Sequence, residues 1–238
     1  MFSIQIAGIN VAIKNKYDYV KSLCKDYIVD DNVAPDIFVD VSEEMIDEEM
    51  ERASIEVSRG YAEGICVYRA ICIRLPIDFQ AYLFHSAVIE YKGDGYAFSA
   101  KSGTGKSTHI ALWRKYFGSD VHIVNGDKPI LRFIDGELYA FGTPWCGKEG
   151  WQANSKVKLK ALCFLERAEE NSIKQISASD AIVRIFHQIL MPEDLQTVDS
   201  LIPLLDRTLR TVPCYLLSCN ISEDAARIAY EKMSSNKN

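Results

Sequence analysis

Residues 95–108 read Gly95-Tyr96-Ala97-Phe98-Ser99-Ala100-Lys101-Ser102-Gly103-Thr104-Gly105-Lys106-Ser107-Thr108. A short apolar run leads into a Gly-containing loop, and a helix start follows. The segment AKSGTGKS fits the phosphate-binding pattern of a small residue, four variable positions, then Gly-Lys-Ser. Ala100 stands where Gly is usual. Gly103 and Gly105 let the backbone turn with φ > 0 and bring its N–H groups close to an anion. The following helix N-terminus adds partial positive charge. Ser102, Gly103, Thr104, Gly105, Lys106, Ser107 and Thr108 are therefore the candidate phosphate cradle. Lys106 would reach the β- and γ-phosphates, and the Ser107 hydroxyl would sit on Mg²⁺. A Gly/Ser/Thr turn that binds nothing would not need a strand before it and a helix after it.

Outward from the loop, the chain is that of a globular protein. It has 238 residues, 48% of them hydrophobic, enough for one large domain or two small ones. No run of about 18 apolar residues suggests a membrane span. The N-terminus lacks the basic region and cleavage site of a signal peptide. Seven cysteines form no Cys-x-x-Cys pair and are odd in number, which predicts buried thiols in a reducing cytoplasm. Net charge is −6 but uneven: residues 1–51 hold twelve acids and four bases, and the rest is slightly basic. That balance argues against a nucleic-acid partner.

Along the chain, Ser3–Lys14 alternates as a strand or hairpin, weakest at Gly8-Ile9-Asn10. Apolar spacing predicts a helix over Tyr17–Ile28, ended by Asp30-Asp31-Asn32. Asp36–Val41 reads as a strand and Ser42–Ala53 as a capped helix. The acids crowding that helix read as a solvated face rather than a metal site. Glu56–Leu75 leans to a helix ending before Pro76. Phe79–Glu90 carries an apolar strand, Tyr91–Gly95 a hairpin turn, and Lys106–Phe117 a helix stopped by Gly118. Val121–Val124 is a short strand. Ile130–Phe133 and Leu138–Phe141 form a hairpin around Asp135-Gly136. A Gly-rich aromatic loop covers Gly142–Asn154. Then come a strand (Leu159–Leu165), helices (Ser179–Leu190, Glu193–Leu209), a strand (Pro213–Ser218) and a helix (Ser222–Met233).

A phosphate loop that transfers phosphate needs a carboxylate for the metal and a group to take the acceptor's proton. Asp127 follows the next hydrophobic strand after the loop's helix, as a metal-binding acid would. It could also be a turn acid in Asn125-Gly126-Asp127. His85 lies on the strand leading to the hairpin before the loop. Lone histidines are usually satisfied core residues, and His109, His122 and His187 receive no role. Lys148, on the loop after Gly147, could bring positive charge to a phosphate. Cys146 has no evident histidine partner to make it a nucleophile.

His85-Ser86 on a strand, the loop at 102–108, a strand followed by an acid, and Thr143-Pro144-Trp145-Cys146-Gly147-Lys148 occur in that order. This pattern resembles the HPr kinase/phosphorylase and phosphoenolpyruvate carboxykinase-like superfamily. More closely, it resembles the small stand-alone kinase-like members found beside peptide-maturation enzymes. The resemblance runs from about Phe84 to Asn220 and includes Val212-Pro213-Cys214-Tyr215. It implies an α/β fold with a twisted mixed sheet and a phosphate-loop core, here at 76–238; the uneven charge and a boundary near 52–78 set off a small acidic α/β part at 1–75 that does not resemble the receptor-like domain of HPr kinases. It implies that His85 faces the phosphates, that Asp127 is the second acid of an Asp-Asp pair, and that Lys148 is the lysine of a Trp-x-Gly-Lys loop. Catalytic roles fall to His85, Asp127 and Lys148, and Mg²⁺ ligation to Ser107 and Asp127. Gly126 replaces the first acid of the pair. The expected activity is Mg²⁺-dependent transfer of the γ-phosphoryl of ATP, or another nucleoside triphosphate, to a hydroxyl of a peptide, protein or small molecule. Carboxykinase-like or phosphorylase chemistry, and a catalytically inactive nucleotide-binding partner of a peptide-modifying system, are the alternatives. A cytoplasmic location, no membrane partner and a possible homo-oligomer complete the expectations.

Overall fold

A computed structural model describes residues 1–30 and 33–235. The chain begins with a hairpin, β1 (Phe2–Ile6) and β2 (Ile9–Lys14), joined at Ala7-Gly8. The helix expected over 17–28 is shorter. α1 (Asp18–Leu23) gives way to a single 3₁₀ turn at Lys25–Tyr27 and then to β3 (Ile28–Val29), which pairs with β1. The break places Tyr27 fully inside the core and leaves Ile28 on the surface. Of the expected helix-ending triplet, Asp31 and Asn32 lie outside the described residues. β4 (Ile37–Asp40) completes a four-stranded sheet of order β3-β1-β2-β4.

α2 (Glu43–Arg52) is capped by Ser42, whose Oγ accepts from Met45 N–H at 3.3 Å. α3 spans Arg59–Asp78, capped by Ser58, and runs through Pro76 instead of stopping before it. A proline this near a C-terminus removes only one late backbone bond. Burial of Leu75 and Pro76 and the Phe79 N–H to Leu75 C=O bond of 3.1 Å hold the last turn. Residues 75 and 76, where the two expected parts meet, both lie inside α3.

The second sheet contains β5 (Ala81–Leu83), β6 (Ala87–Tyr91), β7 (Asp94–Ser99), β8 (Val121–Asn125), β9 (Ile130–Ile134), β10 (Glu137–Phe141), β11 (Lys156–Arg167), β12 (Ser172–Gln175) and β13 (Cys214–Cys219). Its path is β5-β9-β10-β11-β7-β6-β8, with β13 pairing both β11 and β12. β11 is antiparallel to β10 in its first part and parallel to β7 and β13 in its last. This one long strand therefore carries the sheet around its curl. β12 is short, half-solvated and bears little apolar signal, so only its antiparallel pairing with β13 defines it. Both expected hairpin turns form: Lys92-Gly93 and Asp135-Gly136 all have φ between 51° and 88°, the geometry of tight two-residue turns.

Helices cover both faces of the β7–β11–β13 centre. α4 (Lys106–Phe117) and α7 (Asp224–Ser234) cover one face, where Ile110, Trp113, Ala226 and Met233 meet Tyr96, Phe98, Cys163 and Tyr215. α5 (Ala178–Phe186) and α6 (Leu195–Thr211) cover the other, where Ile185, Leu201 and Leu205 meet Ala97, Leu162, Phe164 and Leu216. Alternate strand residues thus point to opposite helical layers, and the strands read as continuous apolar runs. Each layer draws on the roughly 25 cal/mol per Å² released by burying apolar surface. Among the described residues, all seven cysteines are free thiols and six are buried. No described helix is long and apolar enough to cross a membrane.

Candidate functional site

β7 ends at Ser99, and the loop at 100–105 turns directly into α4. Gly103 has φ 77° and Gly105 φ 123°. A Cβ on Gly103 would meet nothing within 4 Å, so backbone conformation, not crowding, selects glycine there. No side chain caps α4 at Gly105, which leaves the first N–H groups of the helix aimed into the loop. Arg167, at the end of β11, donates to the carbonyls of Thr104 (3.1 Å) and Gly103. The loop is thereby tied to the neighbouring strand.

Three of the sequence candidates converge here. Lys106 Nζ lies 3.0 Å from His85 Nε2, and the same nitrogen lies 3.0 Å from Asp127 Oδ1. Lys106 Nζ also donates to Ala100 C=O at 3.3 Å. One ring nitrogen can accept from Lys106 or donate to Asp127, but cannot do both with one proton. His85 is not inside a strand as expected; it sits in the break between β5 and β6. Its N–H is taken by Gln188 C=O at 2.7 Å, and its carbonyl accepts from Ser99 Oγ at 2.8 Å. Those bonds leave the sheet ladder and fix the ring toward the loop.

Asp127 lies two residues beyond β8. Burial would raise its carboxyl, but hydrogen bonds from His85 and Lys128, with the Lys128 charge, outweigh it and hold Asp127 far below the usual carboxylate range. Burial is the chief cause lowering the Lys106 ammonium, with the Asp127 charge opposing it. The sequence reading missed Lys128, which ion-pairs with Asp127 Oδ2. It also missed the device that shapes this turn. Fully buried Asn125 accepts from the N–H groups of Asp127 (2.9 Å) and Lys128 (2.7 Å), and its Nδ2 donates to Thr143 C=O at 3.0 Å. An Asn two residues before an acid is the available signal; its partner Thr143 is visible only in three dimensions.

Gly126 is closed in. Its N–H donates to Trp151 C=O at 2.8 Å, and a Cβ there would stand 3.0 Å from the Cys146 carbonyl oxygen and 3.3 Å from that of Trp151. The loop at 142–154 occupies the space that a first acid would need. That loop is seated against α3 and the 3₁₀ turn before β3. Trp145 Nε1 donates to Gly64 C=O at 3.2 Å, and the Tyr27 hydroxyl lies 2.6 Å from Gln152 Oε1. A Cβ on Gly147 would come 3.2 Å from Asp127 Cβ, so the loop also presses on the acid. Lys148 itself is exposed and has no hydrogen bond or ion pair among the described residues. Cys146 is buried, and burial raises its thiol, so it is no thiolate.

Ser107 is half-buried in the first turn of α4. Among the described residues no group of three His, Cys, Asp or Glu side chains could hold a metal unaided. One hydroxyl and one ionised carboxylate still fit Mg²⁺, which usually takes its other ligands from water and substrate phosphates. Beside the loop lies a cavity of about 1070 Å³ walled by residues 99–104, the end of β11, β12 and α5. Gln188 also lines it, and its buried Oε1 has no partner among the described residues.

No family model matches this chain. No curated protein matches it either. Among solved structures, the Hpr(Ser) kinase/phosphatase from Coxiella burnetii is similar over 64% of this chain and 99% of its own, at 13% sequence identity and a TM-score of 0.36. That is a distant likeness.

Proposed function

We propose that this protein is a nucleotide- and Mg²⁺-dependent phosphotransferase that moves the γ-phosphoryl group of ATP, or another nucleoside triphosphate, to a hydroxyl of a peptide, protein or small molecule. The observation that carries the reading is the Lys106–His85–Asp127 cluster at the mouth of a loop with an uncapped helix start. Such chemistry needs positioning and charge neutralisation more than covalent steps.

Ser102–Thr108 would hold the phosphates through backbone N–H groups, with Lys106 as the buried cation. An arriving phosphate competes with His85 Nε2 for Lys106. Once Lys106 is drawn to the phosphate, Nε2–H can donate to Asp127. Asp127 then serves as the proton acceptor for the incoming hydroxyl, with His85 orienting it. Mg²⁺, held by Ser107 and Asp127, would neutralise phosphate charge. Lys148, on the loop against Asp127, would add a mobile cation at the outer face. The cavity bordered by Gln188 has room for the acceptor beside the loop.

One observation favours a second reading. Both Asp127 oxygens are engaged, by His85 and Lys128, and Gly126 leaves no second acid. A nucleotide-binding partner of a peptide-modifying system, without turnover, fits that arrangement. Incubation with γ-labelled ATP, Mg²⁺ and a panel of hydroxyl-bearing peptides and small alcohols separates the two. Label on a hydroxyl supports the kinase, and its loss in Asp127→Asn places Asp127 in the chemistry, as base or as Mg²⁺ ligand. Bound, unturned ATP with every acceptor supports the partner reading. Label moving instead to an enol phosphate, as an added β-keto diacid loses CO₂, overturns the hydroxyl-kinase reading in favour of carboxykinase-like chemistry, and labelled pyrophosphate formed from labelled phosphate and a phosphorylated acceptor favours a phosphorylase.

A further inference from the structure

On α2, Met45, Glu48 and Arg52 recur at three- and four-residue spacing, and on α3 Cys66, Ala70 and Ile73 do the same. Residues so spaced form one stripe along a helix. The two stripes face a common groove of about 440 Å³, closed on its third side by the segment 190–194 between α5 and α6. Cys66 and Cys72 are buried in its floor, while Met45, Ile73 and Met191 stand 43%, 42% and 45% exposed along it. Single exposed apolar side chains need no explanation, but several around one groove mark an interaction surface. Methionines on two of its walls can adapt to a partner's shape.

The rim carries four carboxylates against two guanidinium groups. Glu49 pairs with Arg69 at 3.2 Å, but Glu48 reaches Arg52 only at 3.8 Å. Asp194 caps α6 by accepting from Thr197 N–H at 2.8 Å. Glu193 is exposed and has no hydrogen bond or ion pair among the described residues. α2 as a whole bears six acids and one arginine. The groove is therefore apolar along its length and negative at its edges. An anionic membrane surface, or a second copy of a chain of net charge −6, meets repulsion here, whereas a cationic partner is attracted.

We propose that this groove docks a basic amphipathic helix of a partner polypeptide. Its apolar side chains lie against Met45, Ile73 and Met191, and its Lys or Arg residues against Glu48 and Glu193. Two helical stripes with a third wall are the geometry of helix-in-groove recognition. Leu190, in the groove wall, lies two residues beyond Gln188, whose C=O holds His85 N–H at 2.7 Å. The partner is thus brought close to the His85–Asp127 pair, although the docking surface stands whether or not the loop transfers phosphate.

Fluorescence anisotropy on the full chain tests this with two labelled helical probes of about four turns. Both carry Leu at every third or fourth position, one with Lys and the other with Glu between them. The wild type binds the Lys probe saturably and at least about tenfold more tightly than the Glu probe. Ile73→Glu adds negative charge yet weakens the Lys probe about tenfold, because an apolar contact is lost. Met191→Ser weakens it too, and carries the test if the first variant does not fold. Glu48→Lys combined with Glu193→Lys narrows the preference between the probes. Lys-probe binding unchanged or strengthened in Ile73→Glu and unchanged in Met191→Ser would mean general attraction to an acidic surface and overturn the docking groove. Equal affinity for the two probes, or no binding of either to the wild type, would overturn it as well. So would a wild-type dimer that Ile73→Glu dissociates, which assigns the groove to a second copy.

Discussion

His85 Nε2 and Asp127 Oδ1 stand 3.0 Å apart, although 42 residues separate them in the chain. Under the proposed function, the pair would give the loop at 102–108 a proton acceptor and a group to orient it. Asp127→Asn keeps the shape and removes the basicity. Phosphoryl transfer measured in single turnover should fall about 10²- to 10⁴-fold, the usual range for a positioned acid–base group. His85→Gln should lower the rate less, because Asp127 remains. Wild-type rates in Asp127→Asn would remove it from the chemistry.

Lys106 is buried, and burial opposes its charge. A group whose pKa is lowered on folding makes the folded state less stable while it is protonated, and that penalty fades as pH rises through the folded pKa. Lys106→Met should therefore keep or raise the melting temperature at pH 7 while abolishing turnover. A melting temperature well below the wild type would show Lys106 to be a structural brace.

Asp127 titrates in the opposite sense. Its folded pKa lies below the unfolded value of about 3.9, so its ionised form stabilises the fold above that pH, and the stabilisation is lost as pH falls. Urea midpoints of wild type and Asp127→Asn should differ at pH 7 and converge as the solution is brought below pH ~4. A gap that stays constant with pH would mean that the ion pairs of Asp127 contribute nothing to stability.

Gly126 differs from the acid that the family resemblance leads one to expect, and its surroundings show why restoring the acid should fail. The carbonyls of Cys146 and Trp151 stand at 3.0 and 3.3 Å from any Cβ. Gly126→Asp should lower stability by about 1–3 kcal/mol, as overpacking does, and should not increase turnover. A gain in rate with unchanged stability would show that the 142–154 loop yields easily and that a second acid was all the site lacked.

The local elements were largely legible because their signals are local. The loop with Gly103 and Gly105, the Asp135-Gly136 turn and the Ser42 cap each depend on a few adjacent residues. Tertiary competition explains what was not legible. The strand pattern over Phe79–Glu90 conceals a break at His85, whose backbone bonds go to Gln188 and Ser99. Pro76 suggested a stop that burial of the last turn of α3 overrides. The structure brings His85, Lys106 and Asp127 together. The roles of Asn125, Thr143, Lys128 and Arg167 did not emerge from it, since each depends on a partner brought close only by the sheet. Lys148 is exposed and has no hydrogen bond or ion pair among the described residues.

In the proposed function, the loop binds a nucleotide's phosphates with Lys106 as the buried cation. Equilibrium titration of Mg²⁺-ATP into wild type and Lys106→Met tests it most directly. Saturable binding to the wild type and at least ~100-fold weaker binding to the variant are expected, the order for losing a charge-assisted phosphate contact. Equal affinity in the two proteins, or no binding to the wild type, would contradict it.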